Sequence, residues 1–158
     1  MNWLRHPFVP GIALSLIALL HRWLETTMAR HMVVELPLLF ASGYLLAYAL
    51  GNGKRQRLRV WRRYAAPALL AAWLIGSAWM VPLALDAAVL DPRVNLLKVV
   101  SLVLAGFLTG ASWRPAGVVL QGFFVVNWAW MTITGGLLYQ DAPQQLCSVY
   151  LNDQQAQA

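Results

Sequence analysis

Five apolar stretches alternate with short polar breaks along the chain, over residues of about 7–24, 29–50, 64–85, 94–112 and 115–139. A helix that crosses a bilayer needs roughly 20 apolar residues, and these stretches come close to that length. The breaks carry helix-stopping and helix-starting signals: Gly51-Asn52-Gly53, Asp91-Pro92-Arg93 and Trp113-Arg114-Pro115. Residues 140–158 are polar and hold no run long enough to span, so they form a tail. The pattern predicts an all-α fold, a polytopic transmembrane helix bundle of about five spans. No internal repeat is visible.

Composition agrees with the pattern. The chain is 59% hydrophobic and 11% charged, with a mean hydropathy of +0.56, which sets it apart from an ordinary soluble domain. The first stretch has Arg5 ahead of an apolar heart, the way a signal peptide also begins. With Trp3 and Trp23 at its two ends, it reads as a retained span anchored at both interfaces. Pro37 lies inside the second stretch and is expected to kink it.

Charge orients the chain. Six of the twelve Lys and Arg fall within Lys54–Arg63, and such a loop stays on the cytoplasmic side. Five crossings then put the N-terminus in the cytoplasm and the tail in the periplasm of a bacterial inner membrane. Arg5 and Arg114 join the basic loop inside, whereas Arg22, Arg30, Arg93 and Lys98 lie outside. All six acids, Glu25, Glu35, Asp86, Asp91, Asp141 and Asp153, also fall on the outer side. A net charge of +6 is compatible in principle with nucleic acid, but basic residues set between apolar runs read instead as orientation signals and contacts to anionic lipid. Lipid, and no nucleic acid, is the expected partner.

The same orientation brings His21, Met28, His31, Met32, Met80 and Cys147 to the outer side. On a helix, His31 and Glu35 share a face, as do Met28 and Met32. Imidazole and thioether donors suit copper, the sulfur ligands favouring Cu(I), so His31, Met32, Glu35, His21 and Met28 form a candidate metal cluster. The plainer reading stands beside it: interfacial histidines are solvated at the headgroup level, and methionines pack in apolar helices. Glu35 is the residue hardest to treat as incidental, because an ionisable group within a membrane is costly and marks function. Its structural alternative is a salt bridge to Arg30 or Lys98. Asp86, near the end of a span, reads as a solvated helix-end carboxylate.

Gly106 and Gly110 have the G-x-x-x-G spacing that permits close helix contact. The chain has no glycine-rich phosphate loop, no H-E-x-x-H and no nucleophile elbow, which argues against the enzymes that use them. The single Cys147 makes no internal disulfide and no CxxC motif.

The run Arg30-His31-Met32-Val33-Val34-Glu35-Leu36-Pro37-Leu38-Leu39 resembles the H-M-x-x-H helix of CtaG-type membrane proteins that assist cytochrome c oxidase assembly. Leu151-Asn152-Asp153-Gln154-Gln155 is similar to the D-Q-Q element of that family. The resemblance implies a role in copper-centre formation in a haem-copper oxidase, with His31 matching the first family histidine. Glu35 stands where the second would be, and the family is longer, with about seven spans expected. The outer cluster and the resemblance together point to a non-enzymatic assembly or copper-maturation factor for an oxidase; the small size, the lack of catalytic constellations, the eight Trp and the polar tail point instead to a non-catalytic accessory subunit of a respiratory or other membrane complex.

Overall fold

The computed structural model describes residues 34–50 and 55–141, and the side-chain surroundings over 34–50 and 63–137. Among the described residues are four helices and no strand: α1 (Leu36–Leu50), α2 (Arg55–Ala78), α3 (Pro82–Leu90) and α4 (Pro92–Asp141). The fold is all-helical, as the apolar pattern predicts. Its breaks differ in detail from those the sequence suggests.

The longest helix is not straight. Gly117 has φ 76° and ψ 162°, a combination open almost only to glycine, and Pro115 just before it cannot donate a backbone hydrogen bond. Beyond this point the chain folds back. The Gln121 Nε2 donates to the Trp113 carbonyl at 2.7 Å, although eight residues along a continuous helix would separate them by about 12 Å. The Trp113 and Phe124 rings meet edge to face at 6.1 Å. The helix is thus a hairpin of two arms, residues 92–116 and 118–141, each about 36 Å long and so longer than the roughly 30 Å hydrocarbon core of a bilayer. The turn falls a few residues after the Trp113-Arg114-Pro115 break.

α1 runs parallel to the first arm. A Cβ placed on Gly43 would strike the Val103 carbonyl, one on Gly106 the Phe40 carbonyl, and one on Gly110 would lie 2.9 Å from both the Ala47 Cβ and the Tyr44 carbonyl oxygen. The paired positions rise together along both helices, and the two backbones touch. The G-x-x-x-G spacing therefore serves a contact within the chain.

α2 lies antiparallel to the first arm and parallel to the second. Leu69 and Ala72 share a core cluster with Ala105 and Phe124, the Trp128 ring covers Gly76, and the Ser77 hydroxyl donates to the Met131 sulfur at 2.8 Å. Phe40 meets Trp128 with the rings tilted by 46° and their centroids 5.2 Å apart. Helix α2 begins at Arg55, so much of the basic run is helical.

The expected third span is broken. Between Ala78 and Pro82 the helix axis turns by 74°, and Pro82 opens α3 in the first-turn position where its missing N–H is harmless. Leu85 and Ala88 of α3 then pack with Leu36, Trp79 and Leu102. Asp91 joins α3 to α4: its Oδ1 accepts the Arg93 N–H at 2.8 Å, as a helix N-cap does. Pro37 falls in the first turn of α1 behind a π-type turn at Val34 and Glu35, so the irregularity expected of it lies at the helix start.

Among the described residues, one helix, α4, is long and apolar enough to cross a membrane, and α2 with α3 passes the same requirement as a bent pair. Only 28% of the apolar window of α4 is buried, which distinguishes it from the core helix of a soluble protein. Val118, Val119, Phe123, Val126 and Trp130 are 66–88% exposed, an apolar strip of the kind that marks contact with lipid or protein.

Candidate functional site

All charged residues with described surroundings sort to the two ends of the bundle. Glu35, Asp86, Asp91, Arg93 and Lys98 gather where α3 caps the helices, and Arg63 and Arg114 lie at the opposite end. The parallel pairing of α1 with the first arm produces this, since it brings the start of one helix beside the start of the other. At the far end of the same pairing, the Arg114 guanidinium lies 5.6 Å from the centre of the Tyr48 ring, a cation–π contact.

At the acid-bearing end, the Lys98 ammonium and Glu35 Oε1 are 2.8 Å apart, and both side chains are almost wholly buried. A buried ion in an apolar setting carries a desolvation penalty of several kcal/mol, and a well-placed opposite charge offsets it. The pair joins α1 to the first arm of α4. One turn further along that arm, Ser101 accepts a hydrogen bond from the Trp79 indole N–H at 2.7 Å and donates to the Lys98 carbonyl at 3.1 Å. Trp79 stands at the α2–α3 break. The Lys98–Ser101 turn thus ties α1 through Glu35 and the broken helix through Trp79.

Asp86 of α3 is buried, in contrast to the solvated helix-end carboxylate the sequence suggests. Of the five residues proposed for a metal cluster, Glu35 is described and is paired with Lys98. His21, Met28, His31 and Met32 lie outside the described residues, as does Cys147. Among the described residues no group of three or more His, Cys, Asp or Glu is placed to hold a metal ion. The salt bridge of Glu35 to Lys98, one of its two sequence alternatives, is present. The Trp79–Ser101 link was not foreseen, because a tryptophan and a serine 22 residues apart carry no spacing signal.

Fold and site together define a helical bundle with a helix of membrane-spanning length and a buried charge pair at one end. The chain belongs to the DUF1404 family, described as a protein of unknown function, whose model matches residues 10–140. No curated protein and no solved structure matches it.

Proposed function

We propose that this is a multi-pass protein of the bacterial inner membrane that acts by binding other membrane proteins, as an assembly factor or accessory subunit of a respiratory complex such as a haem-copper oxidase. It is not an enzyme on this reading. The observation that carries it is the Glu35–Lys98 pair: the buried charges neutralise each other inside the bundle, while the second arm of α4 presents a wide apolar face to its surroundings. A charge pair satisfied internally holds helices in place and leaves the outer surface for lipid and partner contact.

Five crossings, with the N-terminus cytoplasmic and the C-terminus periplasmic, fit this reading. Arg63 and Arg114 occupy one end, and Glu35, Asp86 and Asp91, with Arg93 and Lys98 beside them, the other, so that the described acids share the end away from Arg63 and Arg114. Purification from native membranes in a mild detergent, with quantitative mass spectrometry of what accompanies the chain, tests the proposal. Oxidase or other respiratory subunits at near-equal amount support it, and recovery of the chain alone overturns it.

A second reading is copper-centre maturation through His31, Met32, Met28 and His21, following the resemblance to CtaG-type proteins. Its support is the position of Glu35 at the acid-bearing end, three residues beyond Met32 in sequence. With Glu35 held by Lys98, its role there is to support the softer donors, not to be a ligand itself. Copper analysis of the purified protein and of a His31→Ala, Met32→Ala double variant separates the two: copper bound by the parent and lost in the variant supports this reading, and no copper in either overturns it.

A further inference from the structure

The irregular start of α1 and the break between α2 and α3 border one cavity. It has a volume of about 510 Å3 and is walled by Pro37 and Phe40 of α1, Trp79 and Met80 at the break, and Phe124 and Trp128 of the second arm. Its size lies within the roughly 300–1,000 Å3 of small-molecule sites. Irregular backbone at membrane depth is tolerated where it is buried in protein or lines a cavity, and broken helices border the substrate sites of many membrane proteins.

The lining determines what fits. It is mostly apolar, and two of the polar groups that border it are engaged within the protein: the Trp79 indole donates to Ser101, and the Thr132 hydroxyl donates to the Trp128 carbonyl. A polar headgroup inside would lose its hydration with little replacement. The rim determines the direction of entry. Pro37, Val125, Ala129 and Thr132 line the cavity and are also exposed, so the mouth opens sideways between α1 and the second arm. Leu38 and Val126, exposed and apolar, flank that mouth in sequence. Resting on the membrane reading above, such a mouth meets hydrocarbon and not water.

We propose that the cavity binds the hydrocarbon chain of a membrane lipid, acyl or isoprenoid, entering laterally between α1 and the second arm of α4. The chain takes the place of protein side chains among Phe40, Trp79, Phe124 and Trp128, gaining the dispersion contacts that an empty cavity forfeits. The headgroup stays at the membrane surface.

The test uses the full chain reconstituted in phosphatidylethanolamine and phosphatidylglycerol vesicles with a trace of phospholipid bearing a diazirine near the end of its acyl chain. After photolysis, labelled residues are mapped by mass spectrometry. The expected result is labelling at Phe40, Met80 and Val125 about tenfold above that at the fully lipid-facing Val118 and Val119, and a return to the background level in both an Ala129→Phe and a Thr132→Phe variant, which fill the mouth from exposed positions. Competition by excess isoprenoid quinone or by excess unlabelled acyl lipid identifies which chain is preferred. Even labelling along the exposed face, unchanged in both variants, overturns the cavity assignment while leaving the membrane reading intact. Release of the chain from its native membranes by alkaline carbonate overturns the membrane reading itself, and the lipid site with it.

Discussion

Lys98 reaches Glu35 across the interface between α1 and the first arm of α4, with 2.8 Å between ammonium and carboxylate and almost no solvent at either. Removing one partner leaves the other charge buried without its counterion. Lys98→Met is therefore expected to destabilise the fold by about 3–5 kcal/mol. A Lys98→Met, Glu35→Gln double variant is expected to recover most of the loss, because no net charge then remains at the interface. Unfolding in detergent, followed by circular dichroism, measures both, and equal stability of Lys98→Met and the parent would refute the pair's role.

Gly106 and Gly43 allow two helix backbones to touch. An added Cβ at either meets a carbonyl of the opposite helix, and backbone cannot move aside as a side chain can. Gly106→Ala is expected to cost at least about 1–3 kcal/mol, the usual range for overpacking. Gly135→Ala is the control: a Cβ there meets nothing within 4 Å, and its stability should match or slightly exceed the parent's, since alanine favours a helix. Parallel melts of the two variants check the contrast.

At Gly117 the cost has a different origin. An added Cβ has open space around it, yet φ is 76°, so alanine suffers from its own backbone and not from neighbours. Gly117→Ala is expected to lose about 1–3 kcal/mol. The loss should be accompanied by weaker contact between the arms, seen as reduced crosslinking between cysteines placed at Leu108 and Leu120, both of which border one core cluster. Unchanged crosslinking would show that the hairpin does not depend on the glycine.

The Trp79–Ser101 bond fixes the broken helix to α4. Trp79→Phe retains most of the apolar bulk and removes the donor, for an expected loss of about 1 kcal/mol. A double-mutant cycle with Ser101→Ala isolates the bond: the two losses should fall short of adding, and simple additivity would mean that the hydrogen bond contributes nothing.

The helices themselves were legible because apolar runs bounded by Gly, Pro and Asp announce both their extent and their ends. Asp91-Pro92 shows this well, one residue closing α3 and capping α4 while the next occupies the first turn. The fold-back at Gly117 was displaced from the expected break because Arg114 and Pro115 look like a boundary, whereas the positive φ that makes the turn has no signature beyond a glycine among many. The bend at Trp79–Val81 carried one mark, Pro82, which membrane helices tolerate in their interior as well as at a new start. For the site, Glu35 stood out by its charge and Lys98 by its comparable depth. Their partnership was one of two options until the parallel packing of α1 on α4 brought them together. Trp79, Ser101 and the cavity beside them depend on tertiary contacts with no local pattern.

Parallel packing of α1 with the first arm also sets an order of events during synthesis. Glu35 leaves the ribosome 63 residues ahead of Lys98, which at about 5–20 residues per second amounts to several seconds or more. Throughout that interval the nascent chain holds Glu35 without the ammonium that faces it in the folded bundle. A chain that stalls or is cut short before Lys98 lacks that pairing, and so differs from a finished one at the very contact that seats α1 on α4.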